Sequence, residues 1–221
     1  AAATNATETE MQSLEAVIEQ VYKDNFGDGF DDIADSVAKI KQNLGELDDS
    51  EIIEVTESAY ALFDLFDAGV DQSSRAARAM MQNFGVSAAA AYDYMARGAQ
   101  NGLDYSGELL DTISEYSVHF KELGFTLDDM FNIMETGAEN GAWKMDTVGD
   151  LIKELSITAI DGSDSTKQAF ELLGLEADDM AAKFAAGGEK ARQAFEETLD
   201  AIAAIEDPIK QDAAGAALMK T

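Results

Sequence analysis

The sequence contains no cysteine, one histidine (His119) and one proline (Pro208) in 221 residues. Without cysteine there are no disulfides and no thiolate ligands, and one histidine cannot complete an ordinary zinc site. The same shortage of cysteine and histidine argues against a nucleophilic catalytic triad. We therefore predict no catalytic residue, no metal ligand and no cofactor. We expect His119 to be a partly buried residue near the end of a helix. A single proline leaves long helices uninterrupted.

Basic residues are also scarce, because 15 Lys and Arg stand against 44 Asp and Glu, which gives a net charge of −29. Such a surface repels phosphate, so direct nucleic-acid binding is disfavoured. The carboxylates are scattered, and we interpret them as a solvated helical surface, with cation binding or self-repulsion as the alternative. No apolar run approaches the roughly 20 residues of a membrane span, and no signal peptide is visible. We therefore expect no membrane contact by this segment.

The apolar residues that are present follow steps of three and four, which predicts helices, and no strand pattern is visible. Met11, Leu14, Ile18 and Val21 begin this pattern. Gly27 and Gly29 then interrupt it, which predicts two helices joined by a hinge. The second helix has a seam that fits either a globular core, which we favour, or a short coiled coil.

One stretch of the sequence occurs twice. Phe84–Ser117 and Leu123–Ser156, 39 residues apart, share 10 identities in 34 positions, where chance supplies about two. A degenerate third copy follows, since Leu173–Met180 matches Leu123–Met130 at five of eight positions. A period near 39 is typical of helical repeats, in which one helix pair buries its apolar face against the next.

Glycines fall where the helices of each copy are expected to stop. These are Gly85, Gly102, Gly124 and Gly141, each able to close a last helical turn in the left-handed conformation. The residues predicted to cap the following helices are Ser87, Asp104 and Thr126. Trp143 and the methionines Met80, Met81, Met95, Met130 and Met134 are expected in the repeat core, with an exposed partner surface as the alternative for some of them. Phe63 is expected on the buried face of an earlier helix that runs from Asp48 to about Ala68.

The predicted fold is all-α, with short helices joined by glycine and cap turns into a helical-repeat bundle or solenoid. We divide it into a disordered start at 1–10, an N-terminal helical region at 11–83, the tandem 39-residue repeat at 84–160, and the degenerate third repeat with C-terminal helices at 161–221.

Three patterns invite a functional interpretation, and each has a simpler structural one. Asp24–Asp35 places acids and a glycine as in a calcium loop, but Phe26 and Asp35 occupy positions that need other ligands, so a glycine hinge is favoured. The pairs Asp128–Asp129 and Asp178–Asp179 are better explained as acids in the first turn of a helix than as the two catalytic carboxylates of a glycosidase. Gly98–Gly102 lacks the lysine and the preceding strand of a phosphate loop.

Several short runs, spread over roughly residues 10–221, carry a resemblance to a known family: Gly98–Leu103, Leu109–Phe120, Leu123–Gly124, Asp161–Ser163, Phe170–Leu175, Ala186–Glu189 and Asp207–Met219. In these runs the sequence resembles the tail tape measure proteins of long-tailed bacteriophages and prophages. Family members are far longer and usually contain apolar membrane segments, and some contain wall-degrading domains. This chain shows neither, so it resembles one soluble segment of such a protein.

The resemblance implies a non-enzymatic structural ruler. Several parallel copies would lie in the tail tube lumen, with tube protein polymerising around them in the host cytoplasm, and the protein would leave the tail during DNA ejection. The implied partners are other copies of the chain, the tail tube protein, tail assembly chaperones and tail-tip proteins. Two alternatives remain: an intracellular α-helical repeat adaptor that binds a protein partner, and a wall hydrolase attached to a tape.

Overall fold

A computed structural model describes residues 8–219, which form helices and turns without a strand. The all-α prediction is therefore confirmed for this range. The helices are α1 Glu8–Lys23, α2 Phe30–Leu44, α3 Asp49–Phe66, α4 Val70–Phe84, α5 Ala88–Gln100, α6 Leu109–Glu122, α7 Leu127–Glu139, α8 Met145–Thr158, α9 Asp164–Leu172, α10 Ala177–Ala186, α11 Gly188–Ala203 and α12 Pro208–Met219.

The chain forms two compact units, residues 1–104 with α1 to α5 (unit 1) and residues 105–221 with α6 to α12 (unit 2). The disordered start predicted at 1–10 falls mostly on residues 1–7, which lie outside the described range, and α1 begins at Glu8. The division into four regions stays a prediction.

The core of unit 1 lies where α1, α2 and α3 meet. Its members are at most 6% exposed, and they are Val17, Val21, Ile33, Val37, Ile52 and Tyr60. The Tyr60 hydroxyl lies 2.7 Å from Asp32 Oδ2 and 3.0 Å from Ser36 Oγ. Burial raises the pKa of Tyr60 well above its ordinary value, because the ionised form would be desolvated. The apolar face of α2 is thus covered within its own unit, as the globular-core interpretation predicts.

Helices α4 and α5 complete unit 1 through small side chains. Ala76 and Ala77 of α4 and Ala88 and Ala91 of α5 are buried, and α5 packs against both α3 and α4. Small residues allow the helices to approach closely. Burial also raises the pKa of Tyr92 to about 12.

Unit 2 is built around the pair α6 and α8. Ile113 and Phe120 of α6 and Ile152 and Leu155 of α8 are fully buried. The helices approach closely at Gly149, where a β-carbon would lie 2.3 Å from the Tyr116 ring. Helix α11 packs against α10 and α6, while α12 packs against α8 and α9.

The predicted glycine stops are confirmed in conformation. Gly85, Gly102, Gly124 and Gly141 have φ of 71°, 83°, 79° and 91°. The Gly124 N–H donates to the Lys121 carbonyl and the Phe125 N–H to the Phe120 carbonyl, which is the Schellman arrangement.

Two of the three predicted caps are confirmed, and the third is wrong. Ser87 Oγ accepts from the Ala90 N–H, and Thr126 forms a capping box with Asp129. Asp104 caps no helix, because residues 101–106 form turns and α6 begins only at Leu109. A second left-handed glycine, Gly107, extends this connection.

Two side chains predicted in the core are exposed. Trp143 is 74% exposed, because it lies in the connection between α7 and α8 rather than on a helix face. Phe63 is 47% exposed, since the buried side of α3 is formed by Ile52, Val55, Ala59 and Leu62. The methionine predictions hold for Met80, Met95, Met130 and Met134, which are fully buried, while Met81 is only partly buried.

The helix bounds match the 39-residue period only in part. Helices α5 and α7 start 39 residues apart, at Ala88 and Leu127, and also end 39 residues apart. Helices α6 and α8 start only 36 residues apart, at Leu109 and Met145. The tandem repeat therefore stays a prediction for the packing.

Candidate functional site

His119 lies near the end of α6, and its side chain is 21% exposed, which confirms the predicted partial burial. Its Nδ1 lies 3.6 Å from Glu122 Oε2 and makes no hydrogen bond within the described residues. One carboxylate at this distance does not form a relay to a nucleophile.

The calcium-like segment is a hinge between α1 and α2. Gly27 has φ of 72°, Asp24 accepts a hydrogen bond from Gln20, and the Asp28 N–H donates to Asp32. Burial, followed by the neighbouring Asp24, raises the pKa of Glu57 on α3. Across residues 8–219, no group of three or more His, Cys, Asp or Glu side chains is placed to hold a metal ion.

The paired acids lie at helix starts, as predicted. Asp128 and Asp129 are in the first turn of α7, and Asp178 and Asp179 in the first turn of α10. Gly98–Gly102 forms the end of α5, where carbonyl groups rather than N–H groups point outward. A helix end of this polarity does not favour a phosphate.

The structure instead presents a groove in unit 2 between α7, α8 and α11, with a volume of about 590 Å³. Apolar side chains dominate its lining, among them Phe125, Ile133, Leu151, Ile152, Phe195 and Leu199. Ile133 of α7, Leu151 of α8 and Leu199 of α11 are each only partly buried. An apolar surface shared by three helices suits the binding of another apolar group.

Close contacts at two places hold the helices around the groove together. At Gly137 a β-carbon would lie 2.5 Å from Val148 Cγ2, so α7 approaches α8 closely there. On the other side, Phe125 packs edge-on against Phe195 with ring centres 5.3 Å apart, which holds α11 to the start of α7.

Arg192 of α11 fixes one end of the groove. Its Nη1 and Nη2 lie 3.0 and 3.3 Å from the two oxygens of Asp129, and its Nε lies 3.1 Å from Glu196 Oε1. The guanidinium carbon is 5.4 Å from the centre of the Phe125 ring. A two-point ion pair defines orientation better than a single contact. The groove wall is therefore held in place at the α7 start.

Asp129 serves both the helix cap and this ion pair. Hydrogen bonds from the Thr126 N–H and hydroxyl, helped by Arg192, hold the pKa of Asp129 below its ordinary value of 3.8. Because the folded-state pKa is lowered, the stabilisation is complete above the unfolded value and is lost as the pH falls through the folded value.

Replacing Asp129 by Asn is therefore expected to lower the free energy of unfolding by about 1 kcal/mol at pH 7, since the cap acceptor stays but the charge is lost. The difference from the parent should shrink as the pH falls below 3.8. Urea unfolding at a series of pH values measures this difference in the free energy of unfolding. Asp178→Asn is the control, because the first turn of α10 has no side-chain cap bond. A loss of stability in Asp129→Asn that stays constant down to pH 2 would contradict a stabilising role for the Asp129 charge.

The groove and its ion pair were not predicted from the sequence. Asp129 and Arg192 lie 63 residues apart, and no local pattern joins them. The gap that Leu199 borders depends on how three helices pack. Within residues 8–219, no helix is both long and apolar enough to cross a bilayer.

Comparison with known proteins supplies the family. A family model described as phage-related minor tail protein matches residues 22–220. The chain is 30% identical over 131 residues to the probable tape measure protein of Streptomyces phage phiC31, an alignment that covers 59% of this chain and 18% of that relative. No solved structure matches the chain. The resemblance drawn from the sequence is confirmed, and this chain belongs to the phage-related minor tail protein family.

Proposed function

We propose that the chain is a segment of a tail tape measure protein, which sets the length of the tail tube during assembly and leaves the tail when DNA is ejected. The observation that carries this proposal is the 30% identity to a probable tape measure protein over more than half of the chain. Membership of the family gives the chain a structural role in a phage tail and a place in the virion.

A helical chain is physically suited to measure length. An α-helix rises about 1.5 Å per residue, so its length is proportional to the number of residues. Within residues 8–219 the connections between helices contain few residues, and Pro208 lies in the first turn of α12, where it does not interrupt a helix. Helices aligned end to end would give a nearly linear relation between sequence and span.

The compact units must open for this role. Separation of the helices in unit 1 would expose residues such as Ile52 and Ile33, which are fully buried in the folded unit. Neighbouring copies that lie parallel in the tube lumen would cover these faces, and the tube protein would polymerise around them. We propose no enzymatic step. The net charge of −29 would keep the segment from adhering to the incoming genome.

The test is tail length by electron microscopy in a phage whose gene for this protein lacks the codons for residues 85–123. The deletion joins Phe84 to Gly124, and because Gly85 and Gly124 share the same left-handed conformation, the helix stop is kept. It removes 39 residues, so the tail is expected to shorten by about 58 Å. Tails of unchanged length that assemble normally would contradict the ruler role for this segment.

A further inference from the structure

We propose that the groove of unit 2 binds a partner helix that carries an apolar stripe flanked by lysine and arginine. The inference does not rest on the ruler role, because it concerns the surface of the folded unit.

The apolar part of the proposal rests on the floor of the groove. Ile133, Leu151 and Leu199 come from three different helices and are only partly buried, so the fold has left their remaining apolar surface uncovered. A helix that enters such a groove presents side chains at positions i, i+3, i+4 and i+7. The volume of about 590 Å³ accommodates several aliphatic side chains in a row.

The polar groups beside this floor are mostly uncharged. Asn132, Thr136, Asn140 and Thr147 line the groove together with the apolar side chains. The one basic residue that lines it, Arg192, is already bonded to both Asp129 and Glu196. The groove therefore offers no obvious cationic group to recognise an acidic ligand.

The charged part of the proposal rests on the helices that form the walls. Helix α7 carries four carboxylates and no basic residue, α8 carries three and Lys153, and α11 carries four with Lys190 and Arg192. The three helices together thus carry eleven carboxylates against three basic side chains, and the two carboxylates that line the groove itself, Asp129 and Glu196, are those bonded to Arg192. Basic residues on either side of an apolar stripe would complement this field, and acidic ones would be repelled.

In the folded unit, the acidic helices around the groove disfavour a second folded copy of this chain as the occupant. Each copy carries a net charge of −29, so two acidic surfaces would be brought together around the groove. A basic partner gains electrostatic attraction as well as apolar burial. Charge complementarity therefore selects a basic amphipathic helix of another protein.

The test uses the full chain and a fluorescein-labelled peptide of about 18 residues, with leucines at helical spacing on one face and lysines on the other. A scrambled peptide of the same composition controls for non-specific attraction to the acidic protein. Fluorescence anisotropy at physiological salt is expected to show at least about tenfold tighter binding of the amphipathic peptide. An analogue with glutamate in place of lysine should bind at least about tenfold more weakly.

Two variants on the same helix localise the site. Leu151→Asp places a charge in the groove floor and should weaken binding at least about tenfold, whereas Ile157→Asp should leave binding within about twofold. Ile157 is a matched control because it is an exposed aliphatic residue of α8 outside the groove lining. If Leu151→Asp unfolds unit 2, the milder variant Leu199→Ala tests the same groove. It should weaken binding about threefold or more.

Amide hydrogen exchange then shows where the peptide lies, and protection should concentrate on α7, α8 and α11. Equal binding of the scrambled peptide, protection on other helices, or no binding at all would overturn the proposal. So would tight binding of the glutamate analogue, or a dimer in sedimentation that Leu151→Asp dissociates, since the occupant would then be acidic or a second copy.

Discussion

Replacing Gly124 by alanine is expected to lower the free energy of unfolding of unit 2 by about 2–5 kcal/mol. Two separate effects add here. Gly124 has φ of 79°, a conformation that is strained for any residue with a β-carbon. A β-carbon would also lie 2.4 Å from the carbonyl carbon and oxygen of Gly188, which are backbone atoms. The turn between α6 and α7 would have to move away from the start of α11.

A matched variant separates the two effects. Gly141 has φ of 91°, but nothing lies within 4 Å of its β-carbon position. Gly141→Ala should therefore show only the conformational cost, about 1–2 kcal/mol. Urea unfolding followed by circular dichroism, with amide exchange of α6 and α8 to report on unit 2, gives both values. Equal losses for the two variants would show that the Gly124–Gly188 approach is not formed in solution.

Replacing Gly149 by alanine is expected to destabilise unit 2 by about 2 kcal/mol, because overpacking outweighs the gain of about 1 kcal/mol in helix propensity. The new methyl group would lie 2.3 to 2.7 Å from three atoms of the Tyr116 ring. The ring cannot turn aside freely, since its hydroxyl donates to Asp150 Oδ1 at 2.8 Å. Burial, followed by the neighbouring Asp146 and Asp150, raises the pKa of Tyr116 well above its ordinary value.

Gly215 provides the control for helix propensity alone. It lies inside α12, and nothing lies within 4 Å of its β-carbon position. Gly215→Ala should stabilise the protein by about 0.5–1 kcal/mol. The opposite signs expected at Gly149 and Gly215 make the pair informative in a single unfolding experiment. A stabilising Gly149→Ala would contradict the close packing of α6 on α8.

The part of the fold that is encoded locally was predictable from the sequence. Gly85 and Gly124 adopt the predicted left-handed conformation, because a helix stop depends on the glycine and its immediate neighbours. Ser87 and Thr126 cap helices for the same local reason. The hinge after Lys23 follows from two glycines that interrupt an apolar period.

The part that depends on packing between distant residues was not predictable in this way. The approach of Gly124 to Gly188, and the ion pair of Asp129 with Arg192, join positions more than 60 residues apart. Trp143 was misplaced because a large apolar residue is usually buried, while the fold leaves this one on a connection between helices. The groove is likewise formed by residues of three different helices, which no single helix face encodes.

The family assignment removes one of the alternatives left by the sequence, an adaptor unrelated to virions, because residues 22–220 match a phage tail family. It leaves room for partner binding within the tail. If unit 2 remains folded in the tail, its groove is available to a partner. If the chain is opened, its extended length sets the length of the tail. The two roles therefore predict different responses to a change in the number of residues.

The most direct measurement for the ruler role is tail length as a function of residue number, in phages whose gene lacks, contains once or contains twice the codons for residues 85–123. The ruler role predicts a straight line with a slope of about 1.5 Å per residue, so that the longest and shortest tails differ by about 117 Å. Three tail populations of the same length, all assembled normally, would contradict it and would show that this segment is carried in the tail as a folded module.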